Sequence, residues 1–297
     1  GIQQMGIGTK DVHASWKWYR RNFGFDVPVF DEAAEAPLMT KYTGGKVHAR
    51  HAILAMNLNG GGGMEIWQFT SRESADQHKF SLLKNGLLVT KIKCRDAKMG
   101  HESLADQKLG AVCKDPSGKN CFSVIDPFGN PFIASETEHW YQKKHSIFGG
   151  IEGVMIGVSD MDKSIEFYKD VLEIDEVIYD KTGVFEDLAS LTDGDKEFRR
   201  VRLQPSNRNS GAFSDVFGMF HIELLQPINA DSKPHNLEGR FWGDQGYIHL
   251  CFDVNEMGSI KTRAEKLNSP FTVDSGDTFS MGEAAGRFAY LEDPDGP

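Results

Sequence analysis

The sequence predicts an α+β chain made of four copies of one strand–helix–strands unit. Three observations carry this: the chain repeats itself at a fixed offset, each half repeats again, and strand-like apolar runs give way to helical spacing after an acidic residue. At an offset of 149, Ile7 meets Ile156, Gly8 meets Gly157, Asp11 meets Asp160, Tyr19 meets Tyr168 and Asp26 meets Asp175. Further along, Glu65-Ile66-Trp67-Gln68 answers Glu223-Leu224-Leu225-Gln226, and Asp126-Pro127-Phe128-Gly129 answers Asp293-Pro294-Asp295-Gly296.

The elements follow in order. The openers are short runs with β-branched residues, at Met5–Asp11, Gly86–Asp96, around Ile156 before Asp160, and Gly246–Glu256. Each ends on an acidic residue that starts a helical pattern. Trp16, Tyr19 and Phe23 recur at helical spacing in the first unit, and Ile165, Tyr168 and Leu172 in the third, where Asp160 or Ser159 is placed to cap the first turn. About three strand-like runs separated by Gly, Asn, Asp and Pro complete each unit. The expected organisation is a domain over 1–136, a linker over 137–149 and a second domain over 150–297, with the closing strand of the fourth unit falling beyond Pro297.

Composition narrows the function classes. The 297 residues carry 33 Lys+Arg against 43 Asp+Glu, a formal charge of −10, and are 39% hydrophobic. That acidity, with no basic patch beyond Lys143-Lys144 before His145, argues against nucleic acid as a partner. No apolar run approaches the ~20 residues of a membrane span, and the first residues lack a secretory layout. Cys94, Cys113, Cys121 and Cys251 show neither CxxC pairs nor regular spacing, so free thiols in a reducing cytoplasm are expected. Gly60–Gly63 is followed by the strand-like Met64-Glu65-Ile66-Trp67 rather than by Gly-Lys-Ser/Thr and a helix, so it reads as a flexible turn and not a phosphate cradle.

Four such units, with the first and third openers ending Ile-Gly-x-x-Asp, closing strands Met-Glu-Ile-Trp-Gln and Ile-Glu-Leu-Leu-Gln-Pro, and the Asp-Pro-x-Gly turn, together resemble the vicinal oxygen chelate superfamily. This group includes glyoxalase I, extradiol dioxygenases and bleomycin-resistance proteins. The resemblance implies four βαβββ modules paired into two cup-shaped half-barrels, one per half of the chain. Each cup would offer strand positions for a divalent ion (Zn, Fe, Mn or Ni) that chelates two adjacent substrate oxygens.

By the same resemblance, the opener's ligand lies seven residues before the acidic residue, which gives Gln4, Val89, Gly153 and His249. The closing strands give Glu65, Ile133 and Glu223, with the fourth position three residues beyond Pro297. The first half then sets Gln4 and Glu65 against Val89 and Ile133. The second half offers Glu223 and His249 and is the favoured metal site. Extradiol dioxygenases resemble a His, His, Glu set and glyoxalase I a Gln or His, Glu, His, Glu set; within the second half, the first ligand of either falls on Gly153.

Residues two apart on a strand share a face, so His221 and Tyr247 are expected beside Glu223 and His249, as general base and as orienting or acid group. Glu223 among apolar neighbours needs a partner, either a metal or an arginine such as Arg200 or Arg202. The other histidines (His13, His48, His51, His78, His101, His139, His145 and His235) read as solvated or structural. Two classes of function follow. One is a metal-dependent enzyme on a small molecule with vicinal oxygens, with lyase or isomerase chemistry ahead of ring cleavage. The other is a metal-free binder whose aromatic cup (Trp67, Phe69, Trp140, Phe220, Tyr247) sequesters a planar ligand. One half can also be purely structural, and a homodimer fits either class.

Overall fold

The first unit runs β1 (Ile2–Gly8), α1 (Val12–Phe23), β2 (Val27–Glu35), β3 (Ala49–Met56) and β4 (Gly63–Phe69). The second runs β5 (Gly86–Cys94), α2 (Ala97–Ser103), the two-residue strands β6 (Lys108–Leu109) and β7 (Cys113–Lys114), β8 (Asn120–Ile125) and β9 (Pro131–Glu136). The third has β10 (Phe148–Gly157), α3 (Met161–Leu172), β11 (Glu176–Gly183), β12 (Phe198–Gln204), a short α4 (Ser214–Phe217) and β13 (His221–Pro227). The fourth has β14 (Gly246–Phe252), α5 (Met257–Lys266), β15 (Val273–Asp274), the β16 (Phe279–Met281) and β17 (Ala284–Gly286) hairpin, and β18 (Ala289–Tyr290). The computed structural model describes every residue except 143–145, 208–210, 232, 277–278, 282–283 and 297, so Lys143, Lys144 and His145 lie outside the described residues.

The repeated acidic residues do what their positions predict in three units. Asp11, Asp96 and Asp160 are N-caps whose carboxylates accept from the backbone N–H groups of Ala14, Met99 and Lys163. Glu256, the fourth, is in the left-handed region and makes no side-chain cap. The Gly60–Gly63 turn is tightly packed rather than flexible. Gly61 and Gly62 both have φ of 83°, a region that favours glycine, and a Cβ on Gly61 would lie 1.5 Å from the Val216 carbonyl oxygen.

The sheets do not respect the halves. A five-stranded sheet runs β14-β1-β4-β3-β2, and a nine-stranded one runs β11-β12-β13-β10-β5-β9-β8-β6 with β7 on β8. The fourth unit's opener therefore pairs with the first unit's, and the second unit's with the third's, both antiparallel. This corrects the expectation that each half closes its own cup. What the halves share internally is on the helix side. Tyr19 of α1 donates to Asp126 Oδ2 at 2.5 Å, and Tyr168 of α3 donates to Asp293 Oδ2 at 2.9 Å. The repeated tyrosine and the repeated Asp-Pro-x-Gly turn are thus two ends of one hydrogen bond, made once in each half, buried in the first and partly buried in the second.

The main core lies between the helices and the sheet faces turned away from the cups, with Tyr19, Phe23, Phe132, Phe148 and Tyr247 among its buried members. All four cysteines are free. Among the described residues no helix is long and apolar enough to cross a membrane.

Candidate metal centre

β1 lies between β4, parallel to it, and β14, antiparallel to it. Gly6 is the register partner of Glu65 on one side and of His249 on the other. A Cβ on Gly6 would sit 2.3 Å from His249 Cε1, so the glycine lets the imidazole lie across β1 toward the carboxylate. His249 Nε2 is 3.1 Å from Glu65 Oε2. The Gln4 side-chain amide donates to Glu65 Oε2, and its nitrogen is 3.5 Å from His249 Nε2. Three side chains from both halves of the chain thus converge on one point, with Gln4 and His249 buried.

The imidazole is held by rings. Trp242 stacks on it at 5.6 Å and 14°, and Tyr290 meets it edge-on at 5.8 Å. Its Nδ1 is buried and has no hydrogen-bond partner among the described residues. Trp242 is itself fixed by Trp67 at 4.5 Å and by the turn around Asp244. That carboxylate accepts from Arg72 at 2.6 Å and from the Ala75 and Phe241 backbone N–H groups at 2.8 Å each. Burial, and then the nearby Glu65 carboxylate, push the Cys251 thiol up to about 12 and raise the Tyr290 phenol too, so both stay neutral. Glu65 Oε2, His249 Nε2 and, with its amide turned over, Gln4 Oε1 form a mixed N/O donor set. They fit three positions of a divalent ion and leave others open.

Among the described residues, the other cup gathers no such donor set. Glu223 on β13 is fully buried and bound to two cations: Lys91 of β5 donates to Oε1, and Arg200 of β12 donates to Oε2 through Nε at 2.9 Å and Nη2 at 2.5 Å. Arg200 also forks onto Asp187 with two bonds of 2.8 Å. Burial alone would raise the Glu223 carboxyl; Arg200 and Lys91 overcome it and hold the group well below the usual carboxylate range. Val89 and Ile133 are buried apolar residues here. A Cβ on Gly153 would fall 2.7 Å from the His221 ring, so that ring fills the place a ligand on β10 would take. The place of an ion is taken by an ammonium and a guanidinium.

Glu223 and His249, expected to share one ion, therefore belong to different sheets with different partners, and the structure does not bring them together. Glu65 and Gln4, expected to face Val89 and Ile133, face His249 instead. His221 does share the face of Glu223, its Nε2 lying 3.5 Å from Oε1, but in the second cup. Its Nδ1 faces Arg202 Nη2 at 2.9 Å. Burial, reinforced by the Arg202 charge, pushes the His221 imidazole down to about 4 and leaves it neutral.

Tyr247 does not sit beside His249. The register steps from Gly6↔His249 to Ile7↔Tyr247, a bulge at Ile248 that turns Tyr247 to the opposite face. There its hydroxyl donates to the Pro131 carbonyl at 2.6 Å and accepts from the Thr90 N–H at 3.3 Å. Of the other expected cup aromatics, Trp67 and Phe69 line the first cup. Trp140 lies under Arg95, and Phe220 packs on Phe252. Trp242, Tyr290 and Lys91 escaped the sequence reading. Lys91 carried a signal, standing two residues after Val89 on the same strand face.

A family model described as the Glyoxalase/Bleomycin resistance protein/Dioxygenase superfamily matches residues 150–296. No curated protein matches the chain in sequence. Among solved structures, glyoxalase I from Zea mays has a TM-score of 0.59 at 13% identity, covering 99% of this chain and 89% of that one. A putative dioxygenase from Bacillus subtilis has a TM-score of 0.54 at 12% identity, covering 99% and 82%. At these identities the likeness shows a shared fold.

Three outcomes follow from the two cups. Tyr247→Phe leaves the Pro131 carbonyl without its donor and is expected to cost about 1–2 kcal/mol in urea melts. Glu223→Gln strands two buried cations and is expected to cost about 3–5 kcal/mol; a neutral result contradicts this network. For His221, the unfolded chain takes up a proton near pH 6.5 that the folded chain refuses until about 4. Stability therefore falls as pH drops through that window, by up to about 3 kcal/mol. His221→Gln should flatten that stretch of the stability–pH curve, and an unaltered slope contradicts it.

Proposed function

Since the chain belongs to the vicinal oxygen chelate superfamily, we propose that it is a divalent-metal-dependent enzyme whose working site is the cup formed by the first and fourth units. The observation that carries this is the convergence of Gln4, Glu65 and His249 from three adjacent strands on one point, with Glu65 and His249 3.1 Å apart.

The order of these residues supports lyase or isomerase chemistry over ring cleavage. Once the first unit is paired with the fourth, the positions read Gln4, Glu65, His249, which match the first three members of the Gln or His, Glu, His, Glu set that the resemblance gives for glyoxalase I. The His, His, Glu set of extradiol dioxygenases would need a histidine where Gln4 stands.

When bound, the ion supplies Lewis acidity to a small molecule with two adjacent oxygens. Glu65 and His249 hold it, one as carboxylate and one as imidazole nitrogen. Gln4 contributes a neutral donor whose amide can instead hydrogen-bond to Glu65, so its donation depends on which way the amide is turned. Trp242, Trp67 and Tyr290 make an apolar wall on the His249 side that excludes water and fixes the imidazole plane. In a dry, low-dielectric pocket the electrostatic pull on a developing oxyanion is stronger than in water.

The contacts among Gln4, Glu65 and His249 also satisfy one another without an ion, which favours a second reading, a metal-free cup that sequesters a planar ligand. Metal analysis separates the two. Purified protein, incubated with Zn²⁺, Mn²⁺, Ni²⁺ or Fe²⁺ and desalted, is expected to retain one ion in this cup. Glu65→Gln and His249→Ala should each weaken retention tenfold or more, whereas Glu223→Gln should not. Wild-type protein that retains no ion, or retention that depends on Glu223, overturns the enzyme reading.

A further inference from the structure

A second constellation lies on the opposite face of the five-stranded sheet. Along β4, Glu65, Trp67 and Phe69 point into the cup, while Gln68 points away from it, toward α1, and its Oε1 accepts from the Val12 N–H at 3.0 Å. His51 of β3 is the register partner of Gln68 and so shares that outer face. Asp31 of β2 pairs with Ile53 and His51 with Ala33, which makes Asp31 and His51 diagonal neighbours on the same side. Their contact is direct: His51 Nε2 to Asp31 Oδ1 is 2.6 Å. His13, on the first turn of α1, brings its ring to 5.0 Å from that of His51, at 81° to it. One ligand atom from each of the three lies within 4.8 Å of the others, and among the described residues this is the one group of three or more His, Cys, Asp or Glu so placed.

We propose that His13, Asp31 and His51 form a metal site separate from the cup, taking a borderline divalent ion of the Zn²⁺ class. Two imidazoles and one carboxylate are the donors such ions select over Mg²⁺ or Ca²⁺, which prefer all-oxygen shells. The ligands come from a helix and two strands, so no single element's local geometry produces the cluster. Asp31 and His51 are partly open to solvent, at 38% and 26% of their side-chain surface. The ion can therefore enter, and water completes its shell. Asp31 already orients His51 and lowers the cost of gathering the ligands. The bound ion would clip the N-terminal turn of α1 to β2 and β3, the outer strands of the sheet that carries Glu65.

The test is Zn²⁺ binding to the full chain, counted by equilibrium dialysis, with melting temperatures read in EDTA and in saturating Zn²⁺. Wild type is expected to bind one ion more than His13→Ala, His51→Ala or Asp31→Asn, and Zn²⁺ should raise its melting temperature by a few degrees more than theirs. Because these side chains are at the surface, the variants should melt with wild type in EDTA, which separates a lost ion from a lost fold. His249→Ala should leave this ion in place. An ion count equal to wild type in His51→Ala and Asp31→Asn overturns the proposal, as does a Zn²⁺-induced shift that all three variants retain.

Discussion

The antiparallel pairing of β1 with β14 is the constraint on which the rest depends. It takes an opener from each end of the chain and lays them side by side, so that Gly6 has Glu65 on one flank and His249 on the other. The absence of a Cβ at Gly6 and the bulge at Ile248 act together. The first makes room for the imidazole; the second sends Tyr247 into the core and leaves His249 facing the cup. Cross-unit ties hold the pairing in place: Arg72 and Ala75 on Asp244, and Lys41 and Tyr42 on Glu292.

The same pairing made a second time, between β5 and β10, gives a second cup with different contents. Four buried charges, Lys91, Glu223, Arg200 and Asp187, neutralise one another where the first cup gathers metal donors. The arrangement is stable only while complete. Each member loses its solvation on burial and is compensated by the next, so removal of one costs more than the assembled network contributes. A lysine and an arginine cannot be displaced by an ion without leaving two cations stranded. The duplicated fold thus holds one cup that gathers Gln4, Glu65 and His249 and one filled by its own ion pairs.

Much of this was legible in the sequence. The four units followed from repeat position and strand alternation, and the cap at Asp160 from its place before a helical pattern; Gln4, Glu65 and His249 were singled out by the family resemblance applied to those units. What did not follow was which units share a cup. Repeat position carries no information about partners, and with the halves assumed self-contained Glu223 was matched to His249 and Gln4 to Val89. Tyr247 was misplaced for a different reason: alternation along a strand holds only while the register holds, and one extra residue inverts it. The fate of Glu223 was half visible, since a buried carboxylate required a partner and Arg200 was among the candidates, but Lys91 meets it from another unit. The His13–Asp31–His51 cluster was invisible because it joins a helix to the outer face of two strands, and no spacing in one element signals it.

The most direct measurement is anomalous diffraction from crystals soaked in Mn²⁺ or Zn²⁺. A peak about 2.0–2.2 Å from both a Glu65 carboxylate oxygen and His249 Nε2 is the predicted result, with nothing beside Glu223. A peak in the Lys91–Glu223 cup, or a Glu65–His249 pair that stays in direct contact in the presence of the ion, would contradict the claim that a single ion bridges the two halves of the chain.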